Sequence, residues 1–206
     1  MDFSAYLAGA GLGASLILAI GAQNALVLTL GLRRHYPLMA ALICALSDAL
    51  LILAGVAGLG TLIAASPFLR HGAAIGGALF LLAYAAVAFH RAARPGHLEA
   101  DAEVRPARLG VALQVLAVTW LNPHVYIDTV VLLGGISATY APEARPAFAA
   151  GAASASLVWF FALALGAAAL APRLKSPMTW RVIDAATGIV MLIVAMSLIR
   201  PYLAEL

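Results

Sequence analysis

Two aspartates stand inside long apolar stretches of the sequence. Asp48 lies in ALICALSDALLILAGVAG, with no basic residue within four positions, and Asp128 lies in TWLNPHVYIDTVVLLGG. An unpaired charge near the centre of a bilayer costs roughly 2.5–3.5 kcal/mol on insertion scales. Asp48 is therefore expected to be protonated or to pair with a group from another helix or with a substrate. A protonated Asp48 bonded to a neighbouring helix is the structural alternative.

Other polar or aromatic residues precede Asp128 at intervals typical of one face of an α-helix. His124 precedes it by four residues and Trp120 by eight, so the three would form one stripe on a regular helix. Asn122 and Tyr126 would form a neighbouring polar stripe. These side chains are candidates for binding a polar substrate or a proton, and the alternative is that His124 and Asp128 satisfy each other.

Pro123 predicts a break in the same segment. It has no N–H, clashes with the carbonyl of Thr119, and disfavours helical geometry at Asn122. Backbone groups freed inside a membrane must be satisfied by protein, water or ligand. The end of a half-helix can bind a substrate carboxylate or a cation, so Pro123 is a candidate helix break at a binding site. A simple kink without a ligand is the alternative.

An answering interruption occurs near the N-terminus, in ILAIGAQNALVLTLG. Gly21 weakens the helix there, and the amides of Gln23 and Asn24 need partners. Interrupted helices at corresponding places in two halves of a chain are a pointer to a transport site. We therefore add these three residues to the candidate site, together with Asp48, Asn122, His124, Tyr126, Asp128 and Pro123.

The composition indicates that these polar residues belong to a membrane protein. Of 206 residues, 64% are hydrophobic and 10% are charged, whereas soluble domains carry about 25% charged residues. The mean hydropathy is +1.00. A single cysteine, Cys44, excludes a disulfide framework within the chain. The basic residues lie in short gaps between apolar runs, which is typical of membrane orientation and not of a nucleic-acid-binding face.

The apolar runs predict six transmembrane helices in a single all-α transmembrane domain. The runs are Ser4–Leu30, Pro37–Ala65, Gly72–Phe89, Gly110–Gly135, Ala147–Ala171 and Trp180–Ile199. We interpret the first as a span and not as a cleavable signal peptide, since it lacks a basic n-region and is too long. A charged segment after the third run divides the chain into halves of about 1–93 and 108–203.

The distribution of basic residues predicts the orientation. Nine of the twelve Lys and Arg residues fall in the gaps after runs one, three and five, and three fall on the opposite side. The basic side is expected in the cytoplasm, together with the charged linker, and both termini outside. A three-helix half that is repeated must then run in the opposite direction. The fold expected is two inverted three-helix halves (3+3).

Pairs of small residues four apart predict close helix crossings. Gly9 with Gly13, Ala54 with Gly58, and Gly72 with Gly76 have this spacing. They indicate a tight bundle and name no function.

Other polar residues in the runs are less specific. Ser154, Ser156 and Trp159 can line a cavity, although hydroxyl bonds back to the helix are favoured for the serines. Arg181 and Asp184, three residues apart, are expected to neutralise each other at the membrane interface.

Four motifs resemble the LysE family of bacterial basic amino-acid exporters, especially its arginine and lysine exporter branch. They are GAQNALVLTLGLRR, ALICALSDALLILAGVAG, VTWLNPHVYIDTVVLLGG and ASASLVWFFALALGAAALAPRL, in order through nearly the whole chain. The family carries Gly-Pro-Gln-Asn in its first span, where this sequence has Gly21-Ala22-Gln23-Asn24. The resemblance matches the family's acidic positions to Asp48 and Asp128. It implies export of L-arginine or L-lysine across the bacterial inner membrane.

The residue chemistry is consistent with that implication. Two carboxylates suit a guanidinium or ammonium group, and half-helix N-termini suit a substrate carboxylate. The sequence has no Walker-type loop, so we expect no cofactor and no direct use of ATP. Moving a positive charge outward against the membrane potential costs about 2.3 kcal/mol per 100 mV. Antiport with protons carried by Asp48 or Asp128 would avoid this electrical cost.

Several alternatives remain open from the sequence. Within transport they are export of neutral amino acids or of another small cation; a metal is disfavoured because the runs contain no His/Cys cluster. An intramembrane aspartyl protease is disfavoured by the contexts of the two aspartates, and we expect no enzyme. A membrane assembly partner without a substrate would leave the two carboxyls unexplained. The expected partners are the amino acid, protons and the lipid bilayer, with no nucleic acid, and a homodimer is a candidate assembly.

Overall fold

A computed structural model describes residues 2–18, 21–58, 67–93, 106–173 and 176–203 of the chain. All regular secondary structure in these residues is helical. The helices are α1 Phe3–Ile17, α2 Ala22–Leu32, α3 Pro37–Val56, α4 Pro67–Ala93, α5 Arg108–Trp120, α6 Pro123–Tyr126, a π-helix Ile127–Leu133, α7 Gly134–Ser137, α8 Arg145–Leu170, a 3₁₀ turn Ala171–Arg173, and α9 Pro177–Leu203. The expected all-α class is confirmed.

Length and apolar composition identify three to five candidate membrane spans. Three are single helices: Pro37–Val56, Arg145–Arg173 and Met178–Arg200. Two more arise if each bent pair of helices counts as one span. The third predicted run lies in α4, of which the fully described part, Ala78–Ala93, is apolar. The protein is therefore a multi-pass membrane protein, while the sixth span stays a prediction. The predicted charged linker lies largely outside the described residues.

The helix axes bend at both of the places where an interruption was predicted. The axes of α1 and α2 meet at 79°, and those of α5 and the segment His124–Ser137 meet at 62°. Gly21 precedes α2 in extended conformation, with φ −122° and ψ 177°. The first break is thus the sharper one although Ala22 stands where a proline was expected. Because the second break and the π-helix replace a regular helix, Trp120, His124 and Asp128 do not lie on one regular helix.

Glycines permit two close helix crossings. In α1, a Cβ at Gly13 would lie 2.9 Å from the Cα of Ala152 in α8, and Gly9 contacts the backbone of Phe148. In α7, a Cβ at Gly134 would lie 2.6 Å from the carbonyl oxygen of Gly55 in α3. The prediction for Gly9 and Gly13 is confirmed.

The remaining predicted small-residue pairs behave differently. A Cβ at Gly76 would meet nothing within 4 Å. Gly58 adopts a φ of +91°, which ends α3 in a left-handed conformation that glycine permits. Within the described residues these two glycines mark no close crossing, and Gly72 lies outside the part whose side-chain surroundings are described.

The helices of the two sequence halves interleave. Helix α1 packs along α8, α4 packs along α9, and α3 packs against α5, the π-helix and α8. The larger apolar core draws buried residues from both halves, including Leu26, Leu81, Val115, Phe160 and Met191. Neither half therefore buries its apolar faces by itself.

Asp184 in α9 has a different partner from the one expected. Its carboxylate accepts hydrogen bonds from Nη2 of Arg33 at 2.7 and 2.8 Å, and Nε of Arg91 lies 3.5 Å from Oδ1. Arg181 instead donates to the carbonyl of Ala92 at 3.0 Å. The predicted Arg181–Asp184 pair is wrong, because α2 and α4 bring two other guanidinium groups to the carboxylate.

Candidate functional site

A cavity of about 290 Å³ lies where the two helix breaks meet. Its size is near the lower end of ligand pockets, which hold about 300–1,000 Å³, and suits one small molecule. The lining residues are Leu16, Ile17, Gly21, Ala22, Gln23, Asn24, Asp48, Asn122, His124, Val125, Asp128, Thr129, Leu133, Phe160, Val194 and Ser197. Seven of the nine residues that the sequence analysis selected are among them. Tyr126 is not among them, and the side chain of Pro123 lies outside the described part of the structure.

Asp48 is buried in α3 and is held by a residue of the other half. It is 3% exposed, and Oγ of Ser156 in α8 donates to its Oδ2 at 2.7 Å. Among the described residues Asp48 forms no ion pair. The expectation of a helix-internal bond holds for Ser154, which donates to Ala150 at 2.7 Å, and is wrong for Ser156. Asp48 therefore presents a carboxyl to the cavity without a counter-charge.

Asp128 lies in the π-helix and also lines the cavity. It is partly exposed and has no hydrogen bond or ion pair within the described part of the chain. His124 forms no ion pair with it, and Nε2 of His124 lies 3.2 Å from Oγ of Ser197. Single-turn π-bulges within α-helices are rare and are frequently found at functional sites. The two carboxyls, one from each half, thus line one cavity.

The two asparagines support the broken backbone. Nδ2 of Asn24 donates to the carbonyl of Ile17 at 2.7 Å, while its Oδ1 accepts from the indole of Trp159 at 3.1 Å. This bond occupies a carbonyl in the last turn of α1, where intrahelical donors are lacking. Oδ1 of Asn122 accepts from the backbone N–H of His124 at 3.1 Å. Each asparagine therefore holds a helix end at its break.

Tyr126 also serves the second break. Its hydroxyl donates to the carbonyl of Trp120 at 2.8 Å, and the two rings meet edge to face with centroids 6.5 Å apart. The indole of Trp120 in turn donates to Oγ of Ser47 at 3.1 Å. The structure thus places Tyr126 across the end of α5, outside the cavity lining.

The N-terminus of α2 opens into the cavity. Its N-cap residue, Gly21, provides no side-chain hydrogen bond to the first turn. The first N–H groups of a helix lack intrahelical acceptors and carry the positive end of the helix dipole. Nε2 of Gln23 is buried there and has no hydrogen-bond partner among the described residues. These N–H groups can donate hydrogen bonds to an anionic group such as a carboxylate.

Several lining residues were missed from the sequence. Thr129, Phe160 and Ser197 line the cavity, and Ser197 contacts His124. Single hydroxyls and aromatic rings in apolar runs carry no pattern, so only the contacts between helices identify them. The described residues contain no group of three or more His, Cys, Asp or Glu that could hold a metal ion.

Comparison with known proteins points to one family. The family described as "LysE type translocator" matches residues 14–201. The arginine exporter protein ArgO of Pectobacterium carotovorum subsp. carotovorum (strain PC1) is 47% identical over 199 residues, covering 96% of this chain and 98% of that protein. The proteins of the same name from Salmonella typhi and Escherichia coli O157:H7 are 47% and 45% identical, each covering 98% of this chain and 97% of the relative. No solved structure matches.

Proposed function

The chain belongs to the LysE family of translocators, and from this premise we propose that it is a secondary transporter that exports L-arginine from the cytoplasm. One observation carries the proposal: carboxyls from both halves line one cavity together with the uncapped N-terminus of α2. A transporter of this family is not an enzyme, so the protease alternative falls away. The shared cavity also speaks against a membrane assembly partner without a substrate.

The lining complements the three charged groups of arginine. In this proposal the substrate's α-carboxylate binds the uncapped first turn of α2 and Nε2 of Gln23, which has no hydrogen-bond partner among the described residues. Asp48 and Asp128 form no ion pair within the described residues, and in this proposal they bind the guanidinium and the α-ammonium. L-Lysine offers the same charges with fewer donors, so the same site admits it with weaker contacts.

Proton antiport supplies the driving force in this proposal. Export of a cation against an inside-negative potential costs about 2.3 kcal/mol per 100 mV, whereas exchange for a proton moves no net charge. Asp48 and Asp128 are the cavity's carboxyls, so a proton and the cationic substrate compete for them. An imposed pH gradient, alkaline on the arginine-loaded side, should accelerate arginine efflux from proteoliposomes, and an ionophore that collapses the gradient should abolish the acceleration.

The proposed architecture is a 3+3 inverted repeat with both termini outside. In an inverted repeat the first span corresponds to the fourth, and the second to the fifth. The packing of α1, in the first span, against α8, the fifth, is matched by the packing of the π-helix, in the fourth span, against α3, the second. Close glycine contacts occur at both of these crossings. The excess of basic residues on one side supports a cytoplasmic location for that side.

Counterflow in proteoliposomes tests the substrate and the two carboxyls together. Vesicles loaded with unlabelled arginine should accumulate labelled arginine, labelled lysine less, and neutral citrulline not at all. Asp48→Asn and Asp128→Asn should each reduce arginine counterflow at least about tenfold, because a charge-assisted bond contributes about 1.5–3 kcal/mol. Asp2→Asn is the matched control, since Asp2 caps α1 outside the cavity. Undiminished counterflow in both cavity variants would overturn the proposed roles.

A further inference from the structure

The strongest ion cluster in the described part of the chain lies away from the cavity. Asp184 is 1% exposed and accepts two bonds from Nη2 of Arg33, while Arg91 approaches the same carboxylate. The guanidinium of Arg33 lies 5.6 Å from the ring centroid of Trp180, and that of Arg91 lies 5.9 Å from the centroid of Tyr84. The cluster therefore ties together α2, α4 and α9.

Two of these helices run directly between the cluster and the cavity. Gln23 in the cavity and Arg33 in the cluster are ten residues apart along α2, roughly 15 Å on a helix. Asp184 in the cluster and Val194 in the cavity are likewise ten residues apart along α9. The chain thus runs from the cavity to the cluster along α2, and from the cluster to the cavity along α9.

The space between the cluster and the cavity is filled. Oγ1 of Thr29 and Oγ1 of Thr187 lie 3.0 Å apart, and both residues are buried. Leu26, Leu30 and Met191 lie on the stretches of α2 and α9 between the cavity and the cluster, belong to one apolar core, and are at most 5% exposed. The exposed residues of the cavity lining, His124 and Ser197, lie outside these stretches. The cavity is therefore closed on the side of Asp184.

The cluster has the energetics of a contact that opens and closes. The cost of removing charges from water largely offsets their attraction in a buried ion pair, so such a pair can exchange with its hydrated, separated form at small net cost. Nη2 of Arg91 and Nε of Arg33 are buried without hydrogen-bond partners among the described residues. Hydration of these two donors on opening lowers that cost further.

We propose that the Asp184–Arg33–Arg91 cluster is the cytoplasmic gate of the transport cycle, closed in this structure, and that Asp184 is its central residue. The inference rests on the proposed transport function and on the orientation that places the basic side in the cytoplasm. When the site faces the cytoplasm, α2 and α9 separate at this end and the ion pairs are replaced by water. Loss of the carboxylate then shifts the population toward the inward-facing state.

Cysteine accessibility tests the gate without relying on the identity of the substrate. Cys44→Ala removes the single native cysteine, and Met191→Cys places a reporter in the packed region between cluster and cavity. The probe is a membrane-impermeant maleimide added to inside-out vesicles. Asp184→Asn should raise the labelling rate at least about tenfold, because the minor state of a two-state protein is populated at roughly 0.1–10%. Arg181→Gln, a charge removal one turn away that leaves the cluster intact, should not change the rate.

Further variants separate opening from misfolding. Exchange of the charges by Arg33→Asp with Asp184→Arg should restore slow labelling. Arg33→Lys keeps the charge but loses the fork geometry, so it should accelerate labelling less than Asp184→Asn does. Ser197→Cys, labelled from right-side-out vesicles, should react more slowly when Asp184→Asn is added.

The two proposals fail in different ways. Unchanged labelling of the Met191→Cys reporter in Asp184→Asn, in protein that still carries out arginine counterflow, would overturn the gate and leave the transport function standing. Failure of the parent protein to exchange arginine, with the labelling changes present, would overturn the substrate and leave the gate standing. Fast labelling in the charge-exchanged pair would show a general loss of packing and would also overturn the gate.

Discussion

Some side chains at the two helix breaks form hydrogen bonds to the backbone, whereas others remain available to bind a substrate. Asn24 and Asn122 use their amide oxygens, and Asn24 also its amide nitrogen, to satisfy helix ends and the indole of Trp159. Asp128 and Nε2 of Gln23 have no such partner in the described part of the chain. Of the polar residues selected from the sequence, the asparagines therefore act as positioning residues in our proposal.

Ser156 fixes the orientation of Asp48, so its hydroxyl should affect transport. Ser156→Ala removes the one hydrogen bond that joins α8 to the carboxyl. We expect the KM for arginine to rise about tenfold, corresponding to about 1.5 kcal/mol for a bond to a charged group. Initial rates of arginine counterflow over a range of concentrations measure this. Ser154→Ala, which removes only a bond to its own helix, should leave KM unchanged; equal effects of the two changes would contradict the assignment.

Replacing Gln23 should lower the affinity for arginine without lowering the thermal stability of the protein. Gln23→Leu replaces an amide whose nitrogen has no partner in the described part of the chain with an apolar group of similar size. Removing an unsatisfied buried donor should leave thermal stability in detergent unchanged or higher. Affinity for arginine should nevertheless fall about tenfold if the amide binds the substrate carboxylate. A large loss of melting temperature would instead identify Gln23 as a structural residue.

At the scale of the helices, the first break shows that a proline is not required for a sharp bend. Ala22 is the first residue of α2, where the backbone N–H needs no intrahelical acceptor. Gly21 takes an extended conformation, and Asn24 bonds back to the end of α1. These contacts replace what a proline would impose through its ring. The bend of 79° therefore persists with alanine at this position.

Introducing the proline should accordingly be tolerated. The extended geometry of Gly21 is the one that a following proline favours, so Ala22→Pro should raise stability by about 0.4–1 kcal/mol by restricting the unfolded chain. Ala25→Pro is the matched control, because the N–H of Ala25 donates to the carbonyl of Gly21 at 3.1 Å. That change should cost about 3 kcal/mol or more. Thermal denaturation of the purified protein compares the two, and similar losses would mean that α2 begins elsewhere.

The sequence predicted the helices and their breaks better than the contacts between helices. Pro123 and Gly21 change backbone geometry locally, so their effects can be predicted without knowing the neighbours. The partners of Asp184 and Ser156 could not be predicted in this way. Arg33 lies 151 residues from Asp184, and Asp48 lies 108 residues from Ser156. A nearby Arg181 was the natural partner by spacing, but helix packing determined the actual one.

For the whole molecule, the inverted arrangement predicts that the N-terminus and the turn after α7 lie on the same, outer side of the membrane. Single cysteines in a Cys44→Ala background, at Ser4 near the N-terminus and at Thr139 after α7, should react with an impermeant maleimide in right-side-out vesicles. A cysteine at Arg34 should react only in inside-out vesicles, because the basic side is expected in the cytoplasm. Ser4 and Arg34 lie at opposite ends of the first bent pair. Reaction of both positions from the same side would mean that this pair is a re-entrant loop.

The interleaving of the halves has a consequence for how the chain is made. The glycine face of α1 packs on α8, which begins at Arg145, and α4 packs on α9, which begins at Pro177. When the early helices leave the ribosome, the surfaces they will pack against have not been translated. More than a hundred residues separate α1 from α8, and more than eighty separate α4 from α9. Until these are made, the early helices lie in the lipid open to contact with other nascent helices or membrane proteases. We therefore expect a translation product that stops before Arg145 to be degraded, and the same segment to persist when the missing half is synthesised beside it as a separate chain.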